Sequence, residues 1–454
     1  GSDSDTGRAA GAARLRALPW FMAHGFLNTF FALWTFGGTV FLLFLGELGL
    51  PKRQIGGLLS LFPFCGLLAL GVAPVAARWG WKRTFLFGYG TRKGVMALLL
   101  LLPWVTRAGG RTTAVAFLVG VIVIFALLRA LAETAYYPWV QEFVPSDVRG
   151  KVGGISTVLT AVASGLSLAV AGWVVGRGDG LNRFLVLIAG GCVLGLLGVA
   201  CMARVPGGAP RTGTAGGNGH GDNLALALRD RNFVTYLAAL GCTTVGTLSF
   251  SSFLPLYVKE RLGVASGTVV TLDIAVMAGG ALAGLVLGWA ADRVGSRPVL
   301  MPAAGLAMLV PIGWLLLPRQ TSRTVLGCGI LYFVNGVAGS GVAIASGRLL
   351  YNRVIPARDS TAYTALYYAW MGVAGGLAPL LAGHLLSHCA GWQAALGPVT
   401  VDGHAVLFVG AFALLAAACW LYGRLQPDGR HTTRSVLSQM LIPSMRRWLL
   451  QVWR

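Results

Sequence analysis

Charge is scarce in this chain of 454 residues: Asp, Glu, Lys and Arg together make up 11%, against about 25% in a soluble globular domain. Acidic residues are the rarest, 15 against 36 Lys and Arg. The resulting net charge of +21 would suit nucleic acid, but the basic residues sit in short clusters between apolar runs, and no basic domain is left to hold a polyanion. Cysteine is scarce too. The seven are odd in number, all but Cys389 lie in apolar runs, and none has metal-type spacing, which argues against a disulfide framework or a metal site. Strand-like alternation is absent, so a membrane β-barrel is excluded. There is no GxxxxGK[ST] run, and the Gly-rich stretches lie inside apolar segments where Gly serves packing. No nucleotide or other cofactor is expected, and no nucleophile–base set suggests an enzyme.

What the chain has is oil. It is 56% hydrophobic, and stretches of about 20 apolar residues, the length that crosses a bilayer, recur near 19–45, 54–76, 85–106, 112–137, 152–175, 183–203, 232–257, 268–291, 298–317, 324–347, 361–386 and 404–424. Lys and Arg are more than twice as numerous on one set of connections as on the other, which places both termini in the cytoplasm. The first span follows Arg14 and Arg16 as a signal peptide would, but it is too long and lacks a small-residue cleavage site, so it reads as a retained helix. The expected division is a cytoplasmic tail 1–18, a six-helix bundle 19–203, a polar Gly-rich cytoplasmic loop 204–231, a second bundle 232–424 and a cytoplasmic tail 425–454. In that last tail Leu437, Leu441, Met445, Trp448 and Val452 share a helical face, with Arg446, Arg447 and Arg454 off it, as in a helix lying in the membrane interface.

The halves repeat one another. "GWAADRVGSRP" (288–298) interrupts apolar sequence with Asp292, Arg293 and Arg297 bracketed by Gly288 and Gly295; "APVAARWGWKR" (73–83) has the same outline with Ala77 in place of the Asp. "FVPSDVRGKVGGI" (143–155) aligns with "VIPARDSTAYTAL" (354–366), and "LGLPKRQIG" (48–56) with "LGVASGTVV" (262–270), all at offsets of about 210–215 residues. A steady offset of that kind marks a duplicated unit. The pattern Gly288-x-x-x-Asp292-Arg293-x-Gly295-x-Arg297 between the eighth and ninth spans resembles the signature loop of the major facilitator superfamily. The degenerate copy falls between the second and third spans, where that family repeats it, and "PSDVRGKVGG" looks like its connection between helices 4 and 5. The resemblance implies a twelve-helix, all-α membrane fold in two pseudo-symmetric bundles, with the first, fourth, seventh and tenth helices lining a central cavity. It also implies that Asp292 faces the start of the eleventh helix, that Arg293 and Arg297 can pair with it, and that Gly288 lets the eighth helix approach the eleventh closely.

The four implied lining helices each carry a polar stripe. His24, Asn28, Thr35 and Thr39 share a face of the first with Phe31. Arg129 and Glu133 lie one turn apart on the fourth, close enough to pair, ahead of Tyr136 and Tyr137. The seventh has Thr244, Thr247 and Ser251, and the tenth Tyr332 and Asn335 above Gly339 and Ser346. Ionisable groups inside spans are costly and usually face a cavity, which makes Glu133, with Arg129, the first proton-site candidate and Asp273 the second. Ser and Thr can equally bond their own backbone, His24 can be a packing residue, and Arg92 and Lys93 are expected to snorkel. The second span has no carboxylate for a sodium site. The fifth lacks a Gly-Pro pair typical of drug–proton antiporters.

The reading is a secondary active transporter that moves a small polar or anionic organic solute by alternating access, coupled to protons rather than sodium. The substrate groups are His24, Asn28, Arg129, Tyr332 and Asn335, and a gate is formed by Gly288, Asp292, Arg293, Gly295 and Arg297. Membrane lipid is the expected partner, nucleic acid is not, and a monomer in the bacterial cytoplasmic membrane is expected. The alternatives are a multidrug or lipid-like efflux transporter on the same fold and a non-transporting scaffold or sensor.

Overall fold

The computed structural model describes residues 2–145, 148–210, 226–321, 323–356, 360–396 and 399–428. The helices are α1 (Ser2–Thr35), α2 (Thr39–Glu47), α3 (Lys52–Gly66), α4 (Ala69–Trp79), α5 (Trp81–Ala97), α6 (Leu102–Phe143), α7 (Arg149–Arg177), α8 (Asn182–Ala203), α9 (Arg231–Ser251), α10 (Leu254–Glu260), α11 (Ser266–Val294), α12 (Ser296–Leu316), α13 (Thr324–Leu349), α14 (Ser360–His388) and α15 (Gly403–Arg424). A short antiparallel hairpin, β1 (Gln393–Leu396) with β2 (Val399–Asp402), joins the last two. The Asp402 carboxylate accepts from the His404 and Ala405 N–H groups and so caps α15. Most of the loop expected over 204–231 and nearly all of the tail 425–454, with its expected interfacial helix, lie outside the described residues.

Among the described residues ten helical stretches are long and apolar enough to cross a membrane. One of them, Trp81–Phe143, counts 63 residues. A straight helix of that length would measure about 95 Å against a hydrocarbon layer of about 30 Å. The stretch is not straight: Gly110 leaves the helical region at φ 73°, ψ −178°, and α5 folds back along α6, with Gly88 against Leu128 O and Ala132 N. Conversely, 52–79 forms two helices that meet at Leu67–Leu68, with Pro63 and Pro74 inside them, and each alone is too short to count. The stretch 81–143 is thus two helices side by side, and 52–79 is a broken pair outside the ten.

Several boundaries differ from expectation. Helix α1 starts at Ser2, within the expected tail, because residues 8–18 are rich in Ala, Leu and Arg, all strong helix formers. The first span is broken at Phe36–Gly38, where Gly38 takes φ 88°, a left-handed conformation natural to glycine. Thr39 therefore opens a new helix instead of extending the stripe of His24 and Asn28. The seventh span breaks likewise between Ser251 and Leu254, and Pro255 stands in the first turn of the helix that follows, where its missing N–H costs nothing.

The chain divides into two compact units: 1–216 with 252–274, and 217–251 with 275–454. The first is built around Trp81, Phe85, Tyr89, Trp139, Phe143 and Met202, which join α5, α6 and α8. The second centres on Phe233, Tyr236, Leu300, Leu349, Tyr363 and Tyr422. Within it α11 and α13 meet at glycines: a Cβ at Gly279 would strike Phe333 O, and one at Gly336 would strike Val276 O. Small residues allow such approach between membrane helices. Gly288 is not one of them, since nothing lies within 4 Å of the Cβ it lacks. The close approach to the eleventh span expected at Gly288 is therefore not made at that residue.

Candidate functional site

Helix geometry alone sets Arg129 above Glu133 on one face of α6, with Arg129 Nε 3.5 Å from Glu133 Oε1. A second arginine completes the group. Gly88 has no side chain to hold α5 away from α6, and one turn later Arg92 Nη1 lies 3.7 Å from the same Oε1. The two guanidinium groups differ in access. The Arg92 side chain is 2% exposed, Arg129 33% and Glu133 45%. Phe62, Pro63 and Gly66 of α3 and Arg129, Ala130, Glu133 and Thr134 of α6 line a cavity of about 440 Å³. Arg129 also faces the Phe36 and Phe62 rings, 5.4 and 6.0 Å from their centroids.

Behind Glu133, burial is complete. Tyr89 stacks between two cations, Arg92 Cζ 3.9 Å and Lys93 Nζ 3.5 Å from its centroid. Lys93 Nζ also sits 4.4 Å from the Phe31 centroid and donates to Asn28 Oδ1 at 3.4 Å. Its stem passes Gly195 of α8 so closely that a Cβ there would collide with it. Arg92 and Lys93 therefore do not snorkel, as the sequence suggested. They lie on the face of α5 turned toward α1, α6 and α8, and the aromatic rings of Phe31, Tyr89 and Phe125 supply cation–π contacts in place of water.

The remaining expected residues scatter. His24 is 2% exposed, its Nδ1 3.1 Å from Gly198 O and its ring against Phe85 and Tyr89; this is a packing position, not a cavity wall. Asn28 is half-buried beside Lys93. Tyr332 is buried edge-on against Trp314, 5.4 Å between centroids, and Asn335, one turn on, is half-buried. Asp273 lies within hydrogen-bonding reach of the Thr39 side chain and backbone. Among the described residues, no group of three or more His, Cys, Asp or Glu could hold a metal ion.

The duplicated loop has the same backbone in both copies. Gly80 and Gly295 take φ 100° and 93° and donate to Ala76 O at 3.0 Å and Ala291 O at 3.1 Å. Only glycine adopts that conformation without strain, which explains the glycine in each copy. The charges pair differently from expectation. Asp292 bonds Arg348 of α13; Arg293 stacks on Trp289 at 4.7 Å, and Arg297 donates to Gly423 O. The long Arg348 side chain reaches Asp292 from α13, whereas Arg293 turns to Trp289 of its own helix and Arg297 to α15. Asp428 adds a second anion, 3.8 Å from Arg348 Nε, and accepts from the Ser296 N–H at the start of α12.

Sequence reasoning also missed an outer cluster. Glu47, at the end of α2, accepts from Lys259 Nζ at 2.9 Å and Arg183 Nη2 at 3.4 Å, and Lys52 pairs with Glu260 at 2.7 Å. Each of these groups lies at a span end, where single charges are commonplace, so only tertiary structure joins them.

The sequence matches the Major Facilitator Superfamily over residues 22–358 and 275–450. No curated protein matches it. Solved structures share the fold at low identity. A nucleoside transporter, NupG, aligns with a TM-score of 0.65 at 14% identity, over 91% of this chain and 100% of its own. A D-xylose–proton symporter gives 0.66 at 15%, over 91% and 98%. A bacterial homologue of the iron transporter ferroportin, in an inward-facing state, gives 0.68 at 12%, over 90% and 98%.

Proposed function

The chain belongs to the major facilitator superfamily, and from that premise we propose that it is a proton-coupled secondary transporter for a small polar or anionic organic solute. Its family and fold make it a multi-pass membrane transporter rather than an enzyme. The observation that carries the finer reading is Glu133, a cavity-lining carboxylate held between Arg129 and Arg92. An ionisable group inside a membrane span is costly, and where it faces a cavity it marks a substrate or proton path. One of the structural neighbours is named a sugar–proton symporter, a precedent for this coupling on the fold. The excess of basic residues on one set of connections supports cytoplasmic termini in a bacterial cytoplasmic membrane. Flux of radiolabelled solutes into proteoliposomes under an imposed pH gradient tests the reading. Uptake above the no-gradient level supports it, and the absence of flux for every solute overturns it in favour of a scaffold.

A further inference from the structure

Building on the transporter reading, we propose that the cavity beside α6 takes an organic anion whose carboxylate or phosphate group binds Arg129, and that Glu133 releases Arg129 by remaining with Arg92. Glu133 is one carboxylate with two arginine suitors, at 3.5 and 3.7 Å. Both separations exceed the 2.7–2.9 Å of a charge-assisted hydrogen bond, so neither arginine owns it. Arginine does not shed its proton in a protein. Two guanidinium groups facing one carboxylate leave a positive charge unmatched, and Lys93 behind them adds no anion.

The two arginines cannot exchange roles. Arg92 is buried to 2% exposure against 33% for Arg129, and its Nε and Nη1, like Arg129 Nε, lack hydrogen-bond partners among the described residues. Buried donors are almost always satisfied, and the group positioned to satisfy Nη1 is Glu133. A solute in the cavity cannot reach Arg92 past Glu133. Arg129 lines the cavity with a third of its side chain exposed, so it is the arginine that a solute meets. The cavity, about 440 Å³, falls within the size range of small-ligand sites. Phe62, Pro63 and Ala130 offer apolar wall to a carbon skeleton, and the surplus positive charge turns away a cation.

The test uses the purified full-length chain in nanodiscs, with calorimetry and thermal shift against inorganic phosphate, acetate, succinate, glycerol phosphate, glucose, uridine and choline. Anions are expected to bind, and the neutral solutes and choline are not. Arg129→Gln should weaken anion binding at least tenfold. Glu133→Gln should tighten it several-fold, because a competing carboxylate is gone. Arg92→Gln should weaken it, because Glu133 then closes onto Arg129, and the double variant Arg92→Gln/Glu133→Gln should bind as tightly as the wild type or better. That rescue separates the proposal from mere loss of folding in Arg92→Gln. A double variant as weak as Arg92→Gln, or no binding across the anion panel, overturns it. Flux of glucose, uridine or choline that is indifferent to Arg129→Gln overturns this inference and leaves the transporter standing. Anion binding without flux of any solute does the reverse.

Discussion

The carboxylate of Asp292 is bonded to the guanidinium of Arg348, 56 residues away, and not to the arginines beside it in sequence. The pair ties the end of α11 to the end of α13 on an exposed surface, where an ion pair contributes about 0–1 kcal/mol to folding. As the proposed gate it would act instead on the conformational equilibrium. Asp292→Asn should slow transport up to about fivefold while shifting the melting temperature little, since about 1 kcal/mol in such an equilibrium is about a fivefold change. Arg348→Gln should slow it similarly and also lower the melting temperature, because the buried Asp428 loses its charged partner. Flux and thermal unfolding measured on the same preparations decide it. A large loss of melting temperature in Asp292→Asn would make the pair structural.

Replacing Glu133 by Gln should abolish uphill accumulation driven by a pH gradient yet preserve exchange of labelled for unlabelled solute. Amide and carboxylic acid are similar in shape, so the cavity survives, but the proton no longer has a carrier. Accumulation like that of the wild type would remove Glu133 from coupling and move attention to Asp273.

Gly88 holds α5 against α6, with the missing Cβ 3.1 Å from Leu128 O. Gly88→Val should push the helices apart and destabilise the chain by about 1–3 kcal/mol, as overpacking does. It should also detach Arg92 from Glu133, so solute binding falls as well. Denaturation midpoints together with calorimetry on the same variant read both effects.

Asn28 and Asn335 are half-buried polar groups on the first and tenth expected spans. If a solute bonds to them, Asn28→Ala and Asn335→Ala should each weaken its binding by about 1–3 kcal/mol, the cost of leaving its partner atom unsatisfied. Asn28 also accepts from Lys93, so its variant should lose some thermal stability too, whereas Asn335→Ala should not. Unchanged affinity in both would mean that the stripes serve packing.

The fold was legible because its determinants are local and periodic. Runs of about 20 apolar residues, the repeated glycine-bracketed loop and the Arg129–Glu133 spacing all stand in the primary structure. What escaped depends on which way a helix is turned. Arg92 and Lys93 were expected to reach for water, yet nothing in the sequence around them says that Gly88 and Gly195 make room for them inside. Arg348 escaped because its partner is 56 residues away, and His24 because a packing histidine and a binding one look alike until the Gly198 carbonyl is seen beside its ring. The break at Gly38 was written plainly in the pair Gly37-Gly38, but hydropathy averages over it.

The two copies of the glycine-bracketed loop have kept one backbone and divided their chemistry. Where Asp292 meets Arg348 in the second copy, the first has Ala77. The arginines and the carboxylate of the cavity, in turn, belong to the first unit. The two halves thus carry different side chains on one loop geometry. On the proposed reading, a chimera made of two first halves would hold solute charges without the Asp292 pairing, and one made of two second halves would have that pairing without the Arg129–Glu133–Arg92 group, so the halves would be unequal partners in a single polypeptide.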